Sequence, residues 1–112
     1  MTANAATHRL RRPNDPSLLI LTSLADGPKH GYALARDIAV FAGVTLSPGT
    51  LYGAITRLRA SGLIAAETEV DRRRPYSITA EGATALSAVV SEMTRLAQVG
   101  STRLRGLTWR SA

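Results

Sequence analysis

Apolar residues first gather in Ser17-Leu-Leu-Ile-Leu-Thr-Ser-Leu-Ala25, a stretch that is apolar on nearly every side and so reads as a buried helix. Asp15 and Pro16 before it fit an N-cap and the first helical position, where the donor that proline lacks is not needed. Asp26-Gly-Pro28 stops it. A second helix is expected from His30 or Gly31 to Ala42, with Leu34, Ile38 and Phe41 on one face and Arg36 and Asp37 turned outward. Gly43 closes that helix, and Val44-Thr-Leu46 continues as a short extended link.

The third helical pattern has the sharpest ends. Ser47 is placed to accept from the first-turn N–H groups, Pro48 takes the first helical position, and Gly62 suits the left-handed residue that ends a helix. Leu51, Ile55 and Leu58 recur at i, i+4 and i+7 as one apolar stripe. On the opposite side lie Gly49, Gly53, Thr56 and Ala60, edged by Tyr52 and Arg59 on one flank and by Thr50 and Arg57 on the other. Taken alone, such a helix is an ordinary amphipathic surface helix. Small residues bordered by basic and hydrogen-bonding ones also suit a groove in duplex DNA, with the edges reaching phosphates.

After Gly62 the period changes. Leu63-Ile-Ala-Ala-Glu-Thr-Glu-Val70 and Tyr76-Ser-Ile-Thr79 have strand character, and Asp71-Arg-Arg-Arg74 is a basic turn between them. Thr79 then caps a long final helix, with Glu81 at its positive end. Along that helix Leu86, Val90, Met93, Ala97, Gly100, Leu104 and Leu107 step by 4, 3, 4, 3, 4 and 3, the spacing of a seam for another helix. Part of the seam must pack on the protein's own first helix. A helix of roughly 25 residues is about 38 Å long, more than one small core can cover, and a symmetric dimer would cover the rest.

The order helix, helix, helix, hairpin, helix makes the fold mainly α with a small β-hairpin (α+β). It is a winged helix-turn-helix followed by a long C-terminal dimerisation helix. Residues 1–14 read as a basic, disordered tail, 15–79 as the winged unit, and 80–112 as the dimerisation helix with a short tail. In this setting the third helix changes from a lone surface helix to a recognition helix.

The 112 residues suffice for one domain, and 45% hydrophobic content fits a globular chain. The net charge of +6 favours a polyanionic partner, and Lys29 is the single lysine among fourteen basic residues. Arginine suits bidentate phosphate and guanine contacts. No cysteine is present, His8 and His30 are the only histidines, and no metal site or cofactor is expected. No nucleophile with a nearby base, phosphate-cradling glycine loop or carboxylate pair supports an enzyme. No apolar run approaches a membrane span and no signal core opens the chain, so a cytoplasmic location away from membranes is expected.

Four motifs resemble the PadR family of bacterial transcriptional regulators. They are Asp26-Gly-Pro-Lys-His-Gly-Tyr32 at the second helix, Leu46-Ser-Pro-Gly-Thr-Leu-Tyr52 at the recognition helix, Arg57-Leu-x-x-x-Gly-Leu-Ile64 at its end, and Arg73-Arg-x-Tyr76 with Ile78-Thr-x-x-Gly82 in the wing and beyond. They follow the family's order and spacing, and the resemblance as a whole covers roughly residues 16–97. Gly53 departs from the family pattern, where proline or a larger residue is common, and Pro75 stands where lysine or tyrosine is common.

The resemblance implies a homodimeric, sequence-specific regulator of double-stranded DNA, most simply a repressor reading an inverted repeat. By resemblance and by geometry, Ser47, Gly49, Thr50, Tyr52 and Arg57 on the recognition helix, and Arg72, Arg73, Arg74 and Tyr76 in the wing, are the DNA-binding candidates. Tyr52 has the alternative of a half-buried core aromatic, Ser47 of a cap alone, and Arg72–Arg74 of a solvated turn. His30 is expected to cap or pack. Leu86, Val90, Met93, Ala97, Leu104 and Leu107 are the dimerisation candidates, with Trp109 packing near that interface. A small-molecule effector there would act by changing the spacing of the paired helices. The alternative reading is a winged-helix module that binds RNA or a protein.

Overall fold

The computed structural model describes residues 13–107. The tail arginines Arg9, Arg11 and Arg12, and Trp109, lie outside that range. In chain order the elements are α1 (Pro16–Leu24), β1 (Lys29–His30), α2 (Gly31–Ala42), α3 (Pro48–Ala60), β2 (Ile64–Ala66), β3 (Pro75–Ile78) and α4 (Ala80–Arg105).

The caps act as their residue types dictate. The carboxylate of Asp15 accepts from the N–H of Ser17 at 2.8 Å, Ser47 Oγ from Thr50 at 3.2 Å, and Thr79 Oγ1 from Gly82 at 3.0 Å. Gly43 and Gly62 take φ of 67° and 75° where α2 and α3 end, a conformation that costs glycine little.

Helix α1 is central and packs against α2, α3 and α4. Its Ile20 and Leu21 are fully enclosed, as are Leu34 and Ile38 of α2 and Ala54 of α3. Phe41, expected in this core, is 46% exposed. The inward face of α2 runs through Gly31, Leu34 and Ile38 toward Ala35 and Ala42, which leaves Phe41 on its edge. Asp37, expected outward, is drawn in by Lys29. Lys29 Nζ donates to the carbonyl of Ser23 at 2.5 Å and lies 3.8 Å from the Asp37 carboxylate, which accepts from Ser23 Oγ at 2.6 Å. This network ties α1, β1 and α2 together around a lysine whose side chain is 17% exposed.

The expected two-stranded hairpin is part of a three-stranded antiparallel sheet in the order β1-β3-β2. Lys29 pairs with Tyr76 and His30 with Pro75, while Ile64, Ala65 and Ala66 pair with Ile78, Ser77 and Tyr76. The strand expected over 63–70 ends at Ala66 and resumes only as a bridge between Val70 and Arg73.

Helix α4 leaves the sheet at close quarters. Thr79 Oγ1 donates to the carbonyl of Gly62 at 2.7 Å and the Thr79 N–H to Leu63 O at 3.1 Å. A β-carbon at Gly82 would collide with that same Leu63 oxygen and with Ile78. Only glycine permits this approach, which sets the direction in which α4 departs.

Candidate nucleic-acid interface

Three elements meet on one side of the molecule: α3, the N-terminal end of α2, and the turn between β2 and β3. Leu51, Ala54, Ile55 and Leu58 hold α3 to the core, and the rest of its circumference faces out. Ser47, Gly49, Thr50, Tyr52, Thr56, Arg57 and Arg59 are exposed. Ser47 Oγ donates to Thr50 Oγ1 at 3.0 Å, which leaves the Thr50 hydroxyl proton free to donate outward. Thr56 Oγ1 gives its proton to the carbonyl of Tyr52 at 2.8 Å, so that position adds bulk and no free donor.

The glycines of α3 differ in use. Nothing lies within 4 Å of where a β-carbon at Gly49 would stand, so that stretch of helix is open to close approach. At Gly53 a β-carbon would stand 3.5 Å from Arg57 Nη1. That is ordinary van der Waals contact, so Arg57 lies back along the helix beside Gly53 without requiring glycine there. Neither Arg57 nor Arg59 has an ion-pair partner among the described residues.

The turn between β2 and β3 is tighter than the sequence implies. Val70 and Arg73 exchange both backbone hydrogen bonds, at 2.8 and 2.9 Å, around the two-residue loop Asp71-Arg72. Asp71 and Arg72 have φ of 51° and 65°, the left-handed pair of a type I′ turn, where asparagine and glycine are favoured. Arginine at the second position costs on the order of 1 kcal/mol relative to glycine. The chain accepts that cost and sets a guanidinium at the tip.

The three wing arginines go different ways. Arg72 has no partner among the described residues. Arg73 Nη1 lies 3.3 Å from His30 Nε2, at the entrance to α2. Arg74 turns back on the wing, donating to the carbonyl of Glu67 at 3.4 Å and standing 4.0 Å from the Glu69 carboxylate. A pair so exposed is worth little and dissociates readily in favour of a stronger anion.

Tyr76, expected at the interface, is 8% exposed and sits in the core at the centre of the sheet. Its ring is a packing element, and it leaves the contact surface. Tyr52 keeps both of its alternatives: the residue is 48% exposed, yet its hydroxyl rests where a β-carbon on Gly31 would stand. His30 caps α2 through Nδ1, which accepts from the N–H of Ala33 at 3.3 Å. Its position beside the wing had no local signal, because the β1–β3 pairing creates it.

The far side of α4 presents the second expected surface. Leu86 belongs to the protein's own core with Ala85 and Val89, and Met93 is packed partly against it. Beyond Met93 the apolar face continues without cover: Ala97, Leu104 and Leu107 are exposed, as are Val90 before it and the unforeseen Leu96 and Val99. At 1.5 Å per residue, α4 overhangs its core by about 20 Å. The molecule measures 63 × 31 × 22 Å accordingly. No helix among the described residues is long and apolar enough to cross a membrane, and none of their His, Asp and Glu residues form a group able to hold a metal.

Comparison with known proteins places these features in one group. The model of the transcriptional regulator PadR-like family matches residues 20–88. A transcriptional regulator of Mycobacterium tuberculosis is 40% identical over 73 residues, covering 62% of this chain and 67% of its own length. A 37.1 kDa protein of transposon TN4556 from Streptomyces fradiae is 44% identical over 85 residues, 76% of this chain. This chain spans only 25% of that longer protein. The crystal structure of a PadR family transcriptional regulator from Eggerthella lenta superposes with a TM-score of 0.64 at 31% identity, covering 79% of this chain and 80% of the other.

Proposed function

Because the chain belongs to the PadR-like family of transcriptional regulators, we propose that it is a homodimeric repressor that binds an inverted repeat in double-stranded DNA. The supporting observation is that Arg57 and Arg59 of α3 and Arg72 at the wing tip are exposed and have no ion-pair partner among the described residues. In this reading the N-terminal half of α3 enters the major groove. Gly49 permits close approach, Thr50 donates outward, Arg57 reaches a base edge, and Arg72, Arg73 and Arg74 engage flanking phosphates. Ser47 holds the first turn of α3, whose free N–H groups face the backbone.

The dimer forms on the overhanging face of α4 through Val90, Met93, Ala97, Leu104 and Leu107, with Leu96 and Val99 added. Two copies joined there carry their α3 helices as a pair related by twofold symmetry. A small molecule seated between the overhanging helices would change the spacing of that pair and release the operator.

Selection from a random duplex pool tests this reading. The wild type is expected to enrich an inverted repeat, and Arg57→Ala to enrich one degenerate at a single base pair of each half-site. Enrichment of no motif, or stronger binding to single-stranded RNA of the same length, would favour the RNA- or protein-binding alternative.

A further inference from the structure

The contact between His30 and Arg73 cannot satisfy both partners. A neutral imidazole has one ring nitrogen that accepts and one that donates. Nδ1 of His30 accepts from the N–H of Ala33 as the cap of α2, which puts the ring proton on Nε2. Nε2 is the atom that Arg73 Nη1 approaches at 3.3 Å, and a guanidinium only donates. The opposite tautomer serves Arg73 and abandons the cap. With the cap in place, two donors converge on one point with no acceptor between them.

The surroundings indicate what fits that point. His30 and Arg73 line an open recess with Val70, Asp71 and Pro75, and Arg73 makes no ion pair with Asp71 or with any other described carboxylate. The recess lies next to Gly31, where Tyr52 brings the recognition helix against the start of α2. It is walled by β1 and the wing, one residue along the chain from the contact between α2 and α3. An oxygen of an anion would accept from Nε2–H and from the guanidinium together, leaving the cap intact.

We propose that His30 and Arg73 together clamp one backbone phosphate of duplex DNA, with His30 serving at once as the cap of α2 and as a phosphate donor. This assignment rests on the DNA-binding reading above. It couples the wing to the helix-turn-helix: the phosphate draws the wing tip onto the end of α2 and fixes the distance between wing and recognition helix.

The test separates capping from contact. His30→Asn keeps a good N-cap residue but is too short to meet Arg73. Binding of wild type, H30N, Arg73→Ala and the double variant to a random-sequence 30-bp duplex is measured across salt concentrations, with thermal melting as the control for folding. H30N is expected to melt like the wild type, to bind about tenfold more weakly, and to keep the wild-type salt slope, because a neutral donor is lost. R73A is expected to lower the slope by about 0.9. The two losses together are expected to fall short of their product, because the groups share one phosphate. H30N binding within twofold of wild type, or losses that multiply, would overturn the clamp. A wild type that fails to bind the duplex at low salt would instead overturn the DNA-binding reading itself.

Discussion

The hydroxyl of Tyr52 rests against Gly31, in the space where any other residue would carry its β-carbon. The tyrosine belongs to the exposed flank of α3 and the glycine opens α2, so this contact sets how closely the two helices approach at the proposed DNA surface. It also assigns a purpose to the glycine that follows His30 in the Gly-Pro-x-His-Gly-Tyr motif. Gly31 is in ordinary helical conformation, and it is the neighbouring ring that excludes a side chain there.

Gly31→Ala forces the Tyr52 ring outward. The change is expected to cost about 1–3 kcal/mol of stability, as overpacking does, and to weaken duplex binding more than that loss explains. Thermal melting beside binding at a temperature where both proteins are folded checks it. Binding equal to wild type would mean that the Tyr52 position does not matter to docking.

At the wing tip, stability and binding are expected to move in opposite directions. Arg72→Gly relieves a left-handed arginine and should stabilise the hairpin by about 1 kcal/mol. It also removes one phosphate-seeking charge, which should lower the salt slope of random-sequence binding by about 0.9. Denaturant melting and salt titration of the same variant read the two effects separately. A stabilised variant with an unchanged slope would leave Arg72 as a solvated turn residue.

Gly82→Ala brings a β-carbon into the Leu63 carbonyl oxygen, a backbone atom that cannot swing aside as a side chain can. A loss of roughly 3 kcal/mol is expected, at the upper end for overpacking. Because the collision lies where α4 leaves the sheet, the surviving folded protein should also dimerise less well. Sedimentation and melting measure both.

Leu96 and Leu104 are 72% and 66% exposed in the protomer, so replacing them by glutamate disturbs nothing inside it. L96E and L104E are expected to give folded monomers with the wild-type far-ultraviolet circular dichroism per residue. Unchanged dimers on sedimentation would move the dimer interface off the overhanging part of α4.

Much of the fold was legible because its signals are local. Ser47, Pro48 and Gly62 bound α3 by the chemistry of helix ends, and Thr79 and Glu81 open α4 in the same way. What escaped was set by distant partners. Lys29 and His30 show no strand pattern and become β1 only because β3 offers an edge to pair with. Asp37 looks solvated until Lys29 folds back on it. Tyr76 in a basic wing segment reads as a contact residue, and its place at the middle of the sheet is decided by that same unforeseen strand. The candidate site was legible as separate segments, but the meeting of His30 with Arg73 and of Tyr52 with Gly31 exists only in three dimensions.

In the proposed dimer, two recognition helices act as a pair held by α4. The most direct measurement is affinity for the selected inverted repeat as base pairs are inserted between its halves. Five added base pairs turn one half-site about half a helical turn away from its partner, whereas about ten restore its face at a greater distance. Paired recognition helices should put two chains on each native repeat and, with five base pairs added, fall to the affinity of a single half-site. Affinity independent of spacing, or one chain per intact repeat, would contradict it.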